Sequence, residues 1–202
     1  ERAQRVQDAL ELKQPDRIPI NMGAGYFLAD YGGITHQEQQ DNWEKAQELL
    51  EKVALEFQPD QILGLFNNPG PSLVLGDQMT KWPGYGLPPD GSFQFDEHEF
   101  MKGEDYDAFL NDPSDWAIRT YLPRAFTKLQ GLQFLPPFGM WAFGHYHLGN
   151  LAMYAIPPVQ EALQALGQAI QFASQGMAKM GESGARMAAL GFPPHFLAGA
   201  LI

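Results

Sequence analysis

The chain has 202 residues, 13 Lys and Arg against 24 Asp and Glu, five His and no Cys, giving a formal charge of −11. This length fits one domain or two and allows roughly 70% of the unfolded surface to be buried; 45% hydrophobic residues exclude intrinsic disorder. The negative excess opposes nucleic-acid phosphates, no apolar run reaches the roughly 18 residues of a membrane span, and without Cys there are no disulfides, thiolate nucleophiles or Cys-ligated zinc in these residues.

Residues 2–13 carry Val6, Ala9, Leu10 and Lys13 at helical spacing and predict a short amphipathic helix that Pro15 stops. Asp16-Arg17 is read as tying this helix to Ile18-Pro19-Ile20, a short strand with Pro19 near its start, where a missing N–H is tolerated. Residues 23–33 are Gly-rich and aromatic and predict a loop with one helical turn. Thr35 and Glu38 form a capping-box pattern, and Trp43, Ala46, Leu50, Val53, Ala54 and Phe57 continue it as one apolar helical face up to Pro59. Asp60 opens the continuous apolar run Gln61-Ile62-Leu63-Gly64-Leu65-Phe66, the pattern of a strand covered on both faces in a parallel sheet.

The stretch 67–100 is rich in Pro and Gly and predicts an inserted excursion, with a small hairpin around Asp90-Gly91 and Ser92-Phe93-Gln94-Phe95. Helices are expected over 104–111 and 114–130, with Ser114 as the cap of the second. Residues 131–156 are apolar and aromatic and receive no assignment. After Pro157-Pro158, the residues Val159, Leu163, Leu166, Ile170, Ala173, Met177 and Met180 step by four and three and predict a long helix, closed by Gly191-Phe192-Pro193-Pro194. The apolar run Phe196 to Ile202 is expected to find a partner.

Helix, strand, helix, strand, excursion, helices is an α/β order. It matches the first part of a TIM-like (β/α)8 barrel, taken as one domain over residues 1–202. A full barrel takes about 250 residues, so the remainder of the barrel is expected elsewhere.

Sites in such folds gather at the carboxyl ends of strands. This singles out Asn21 and Tyr26 after the first strand, Asn67 and Asn68 after the second, and Asp77 in the excursion as candidate substrate-binding residues. The alternatives stay open: Asn-Pro also starts turns, and a loop Asp is often only solvated. His145 and His147 flank Tyr146, so a strand would put both imidazoles on one face as a metal-ligand pair. No acid lies within 131–156 to complete a site, and packing with hydrogen bonds is the competing reading. The cluster Asp96, Glu97, Glu99, Glu104, Asp105 and Asp107 reads as a solvated acidic surface. Arg17, Arg119 and Arg124 are the arginines best placed to pair with carboxylates.

Several stretches in this order resemble the uroporphyrinogen decarboxylase superfamily. They are Leu10 with Pro15-Asp16-Arg17-Ile18-Pro19-Ile20; Ala24-Gly25-Tyr26-Phe27-Leu28-Ala29-Asp30-Tyr31, similar to the decarboxylases' Ala-Gly-Arg-Tyr-Leu-Pro-Glu-Tyr; Phe66-Asn67-Asn68, where they carry Phe-Ser-Asp; Glu104-Asp105-Tyr106-Asp107; Asp112-Pro113; Leu122-Pro123-Arg124; and Gly191-Phe192-Pro193. The resemblance covers the family's N-terminal part only.

Tyr26 replaces the decarboxylases' loop Arg, and Asn68 replaces their Asp. Without both, a chain of charge −11 holds an octacarboxylate poorly. The resemblance therefore implies the methyltransferase branch, with corrinoid-linked methyl transfer, and with zinc and a corrinoid as cofactors of the intact enzyme. The alternatives are decarboxylation of a porphyrinogen, or a non-catalytic tetrapyrrole-binding fragment. The expected partners are a small molecule or a corrinoid, together with a second copy or the rest of the barrel. Neither nucleic acid nor a membrane is expected, and the location is expected to be cytoplasmic.

Overall fold

The computed structural model describes residues 1–65, 68–141 and 148–193. It is α-rich, 62% helical, with small sheets, an α/β chain in the broad sense; a barrel is not shown. Two compact units are distinguished. The described residues of the first fall within Glu1–Asn68, Trp82–Ser92 and Ser174–Ile202, and those of the second within Pro69–Lys81 and Phe93–Ala173. No described helix is long and apolar enough to cross a membrane.

The first unit opens with α1 (Arg2–Leu10), shorter than the expected helix because the chain turns at Leu12 with a positive φ of 56°. Strand β1 is Asn21–Gly23 rather than residues 18–20. The physical reason is local. Pro19 has no N–H to donate, and the Ile20 N–H is spent on the Asp60 carboxylate at 2.8 Å. Ile18 consequently stands 84% exposed. After α2 (Phe27–Gly32), the expected single helix over 35–57 is two, α3 (His36–Asp41) and α4 (Trp43–Phe57). Thr35 caps α3 by accepting the Glu38 N–H at 3.0 Å, as the pattern predicts. Asn42 interrupts the helix because its side chain accepts the Lys45 N–H at 3.1 Å and starts a new one.

Strand β2 (Gln61–Leu63) lies parallel to β1, with Asn21 opposite Gln61 and Gly23 opposite Leu63. The expectation of two neighbouring parallel strands holds for these residues, but the strand is shorter than the expected run, with Gly64 and Leu65 past its end; Phe66 lies outside the described residues. Leu28, Leu50, Val53, Ala54 and Ile62 pack into one buried cluster with Met187 and Phe192. Each fully buried Leu or Val contributes roughly 2 kcal/mol by leaving water.

A charged clamp holds the amino ends of the two strands. Asp60 is 0% exposed. Its carboxylate accepts from both terminal nitrogens of Arg17 at 2.6 and 2.9 Å, from Arg5 and from the Ile20 N–H. Arg5 also donates to both oxygens of Asp16, at 2.7 and 2.8 Å. Asp16 and Arg17 thus do tie α1 to the strand, but through Arg5 and Asp60. Burial alone would raise the Asp60 pKa; the Ile20 N–H and the two guanidiniums outweigh it and lower it. The hydrogen-bonded Arg5 brings Asp16 down to about 2.

The excursion begins with α5 (Gly70–Leu75). Strand β3 (Thr80–Pro83) straddles the boundary of the units: Trp82 and Pro83 pair with β4 (Gly86–Leu87), and Thr80 and Lys81 pair antiparallel with β5 (Gln94–Phe95). The Asp90-Gly91 turn forms, with the Gly91 N–H on the Pro88 carbonyl at 2.9 Å, but no hairpin closes across it, because Gln94 and Phe95 pair with the earlier β3.

In the second unit a 3-10 turn at Gly103–Asp105 leads into α6 (Tyr106–Asn111) and α7 (Pro113–Trp116). Asp112, not Ser114, caps α7, accepting the Ser114 and Asp115 N–H groups at 3.1 and 3.0 Å. The expected helix to residue 130 breaks into a π-helical turn at Ala117–Tyr121, α8 (Leu122–Ala125) and a 3-10 stretch at Thr127–Phe134. Short helices α9 (Phe138–Trp141) and α10 (Leu148–Leu151) precede the last helix, α11 (Pro157–Ala189). Asp105 is buried and paired with Arg124, so it leaves the acidic surface expected for 96–107.

Helix α11 matches its expected span but not its expected face. Ala162, Ala165 and Ala169 are buried with Val159, whereas Ile170 is 64% and Met177 66% exposed. The reason is close approach. At the start of the helix Gly131 leaves no space for a Cβ against the Pro158 carbonyl, and this close backbone brings Leu129 and Leu132 onto the face that carries Val159, Ala162 and Ala165.

Two outcomes test the clamp. Asp60→Asn lowers the unfolding free energy by about 3 kcal/mol in urea titration, because two guanidiniums lose their charged partner. Asp16 and Asp60 have lowered pKa values, so their stabilisation is present above the unfolded value of 3.8 and lost as pH falls towards 2. The stability gap between the native chain and Asp16→Asn therefore shrinks between pH 5 and about 2; a constant gap contradicts the assignment.

Candidate functional site

The parallel pair opens at its carboxyl end into a narrow cleft of about 30 Å3 in the first unit. This is enough for a small group. Ala24 and Gly25 line it from the turn after β1, and Gly64 and Leu65 from the turn after β2. Gln39, Gln40 and Trp43 close it from α3 and the start of α4. The break at Asn42 lets two successive helices supply this wall.

Gln39 holds the turn after β1 in shape. Its Oε1 accepts the Ala29 N–H at 2.8 Å, and its Nε2 donates to the Gly25 carbonyl at 2.9 Å. One buried side chain thus satisfies a backbone donor and a backbone acceptor that would otherwise be costly to bury. Gln40 donates from Nε2 to the Tyr26 hydroxyl at 3.0 Å, and its Oε1 is buried with no partner among the described residues. The Tyr26 ring stacks on His36, with centroids 4.3 Å apart and planes within 6°. His36 in turn contacts the Gly91 carbonyl at 3.1 Å and Asp30 at 3.2 Å.

Residues 82–92 strap this wall from outside. The Gln37 N–H donates to the Pro89 carbonyl at 3.0 Å. The Tyr85 hydroxyl donates to Asp41, 3.0 Å from one carboxylate oxygen and 3.1 Å from the other. Burial and the Asp41 carboxylate raise the Tyr85 pKa, which keeps the phenol protonated as a donor.

The expected residues distribute unevenly. Asn21 is the first residue of β1, not the tip after it. Tyr26 lies behind the cleft and reaches it through Gln40. Asn68 is exposed in the same unit, close to Gly176. Asp77 belongs to the second unit, where its carboxylate accepts the Met79 N–H at 2.7 Å. Asn67, His145 and His147 lie outside the described residues.

Gln39 and Gln40 escaped the sequence reading. Two glutamines in a short polar helix look solvated, and only the fold turns them inward. Trp43 was read as the start of the apolar face and also walls the cleft.

No lining residue of the cleft is charged, so it offers amide groups, backbone groups and an indole to a small uncharged ligand. Among the described residues no group of three or more His, Asp or Glu could hold a metal ion. Comparison with known proteins finds no matching family model, no matching curated protein and no matching solved structure.

Gln39→Ala removes both backbone contacts and should cost about 1–3 kcal/mol. Hydrogen exchange should quicken at residues 25–29 while α11 keeps its protection; unchanged exchange at Ala29 contradicts the role given to Gln39.

Proposed function

We propose that this chain is part of an enzyme of the uroporphyrinogen decarboxylase superfamily that works in corrinoid-linked methyl transfer. In this reading β1 and β2 are the first two staves of a (β/α)8 barrel, and the cleft at their carboxyl ends receives the small methyl acceptor or donor.

The carrying observation is the cleft's uncharged lining at the end of a parallel pair. Porphyrinogen decarboxylation requires many carboxylates to be held, and a cleft without a single cation gives them no counter-charge. A methyl group and its acceptor carry little charge, and water must be kept from the transfer. Trp43, Leu28 and Leu65 supply an apolar wall for that exclusion. The buried Oε1 of Gln40 accepts a hydrogen bond from a ligand N–H, O–H or S–H, and the Gln39 contacts hold Gly25 in place beneath it.

The metal and the corrinoid implied by the resemblance do not fit the described residues. No ligand cluster is present among them, and a cleft of about 30 Å3 takes a small group, not a macrocycle. The cleft would therefore hold the small partner of the transfer, with the corrinoid outside it as the methyl donor.

The test presents the chain with methylcobalamin and 2-mercaptoethanol, following the corrinoid spectrum, and separately with uroporphyrinogen III, following products by chromatography. Expected are loss of the methylcobalamin spectrum in the native chain, a rate at least about tenfold lower in Gln40→Ala, and no coproporphyrinogen. Coproporphyrinogen formation overturns the methyl-transfer reading in favour of decarboxylation; silence in both assays overturns catalysis by this chain.

A further inference from the structure

The second unit has a concavity of its own, with a volume of about 800 Å3, within the size range of small-molecule sites. Its lining is polar and includes His98, Lys102, Arg119, Thr120, Arg124 and Gln133. In a chain of charge −11, three permanent cations facing one hollow are an unusual concentration.

One of them sits on an uncommon backbone turn. Residues Ala117–Tyr121 form a π-helical turn leading directly into α8. Such turns bond i to i+5, are uncommon, and recur at functional sites. Arg119 lies within this turn and Arg124 in α8, and both line the hollow.

Both guanidiniums are held before any ligand arrives. Arg124 donates to the Phe100 carbonyl at 3.0 Å and to both oxygens of Asp105, one of them at 3.1 Å. Arg119 donates to the Leu135 carbonyl at 3.1 Å. Asp115 stands 2.9 Å from Arg119 Nε without the alignment of a hydrogen bond, so that N–H is left unsatisfied. A guanidinium has five N–H donors; Arg124 commits three of them to Phe100 and Asp105, and Arg119 one to Leu135. The Lys102 ammonium pairs with no carboxylate among the described residues. His98 stands 3.4 Å from Asp96, which is itself held by Lys81 at 2.7 Å. Glu99 is the one acid on the lining and limits how much negative charge the hollow accepts.

We infer that this concavity binds a small polyanion, a compound carrying two or more carboxylate or phosphate groups, with Arg119 and Arg124 as the paired oxyanion donors and Lys102 as the outer charge. Fixed guanidiniums with spare N–H groups match the two oxygens of a carboxylate or phosphate edge. This inference stands on the second unit alone and is independent of the methyl-transfer reading.

Titration calorimetry on the full chain at low ionic strength, with citrate and with pyrophosphate as probes, tests it. One saturable site is expected, weakening as salt is added. Arg119→Gln should weaken binding about tenfold, the scale of a lost hydrogen bond to a charge. Lys102→Glu, at an exposed position that leaves the fold intact, should weaken it several-fold. Gln40→Ala, in the first unit, should leave it unchanged, so failure of one site is read apart from failure of the other. Saturation by citrate alone assigns a polycarboxylate, and by pyrophosphate alone a phosphate ester. The inference is overturned if neither probe saturates by about 10 mM under weak screening, or if Lys102→Glu and a folded Arg119→Gln both bind as the native chain does.

Discussion

The buried Asp60 carboxylate is the constraint from which the first unit is built. An unpaired charge in that position would carry a desolvation cost of several kcal/mol. Arg5 in α1, with Arg17 and the Ile20 N–H on the approach to β1, offset it together. Satisfying one carboxylate therefore fixes α1, the approach to β1 and the start of β2 at once. The return bonds are equally specific, since the Asp60 and Gln61 N–H groups both reach the Ile20 carbonyl. A slip of one residue between the strands would break the set. The clamp thus selects the register that places Gly23 beside Leu63 and lets both chains turn away into the cleft.

Charge and neutrality are divided along the strands. The ionic groups gather at the amino ends, where they hold structure, and the carboxyl ends are left to amides, glycine and an indole. This division suits an α/β site, where stability and chemistry occupy opposite ends of the strands. The second unit works the other way. Its arginines are anchored by Asp105 and by backbone carbonyls yet keep donors to spare, and Arg119 sits on a π-helical turn. The first cleft favours a ligand without charge, the second hollow one with several.

Much of the backbone was legible from spacing. The Thr35 cap, the apolar face of α4, the parallel run after Asp60, the turn at Asp90-Gly91 and the span of α11 follow from local chemistry. So do the partners of the arginines, since Arg17, Arg119 and Arg124 each meet a carboxylate. The misreadings share one origin. Asn42 was passed over as a helix interior although its side chain competes for the Lys45 N–H. Ile18 and Ile20 looked like a strand although Asp60 takes the N–H that a strand would use. Asp105 looked solvated although Arg124 draws it inside.

Local sequence therefore determined where helices begin, where turns fall and which charges need partners, because caps, prolines and periodicity act within a few residues. Tertiary structure alone decided which face of α11 is buried and which glutamines face a cleft. Those outcomes depend on how near another backbone comes: Gly131 closes on the Pro158 carbonyl at the start of α11, and the Gly25 turn gives Gln39 a carbonyl to hold. No spacing along the chain encodes how closely a separate segment will approach.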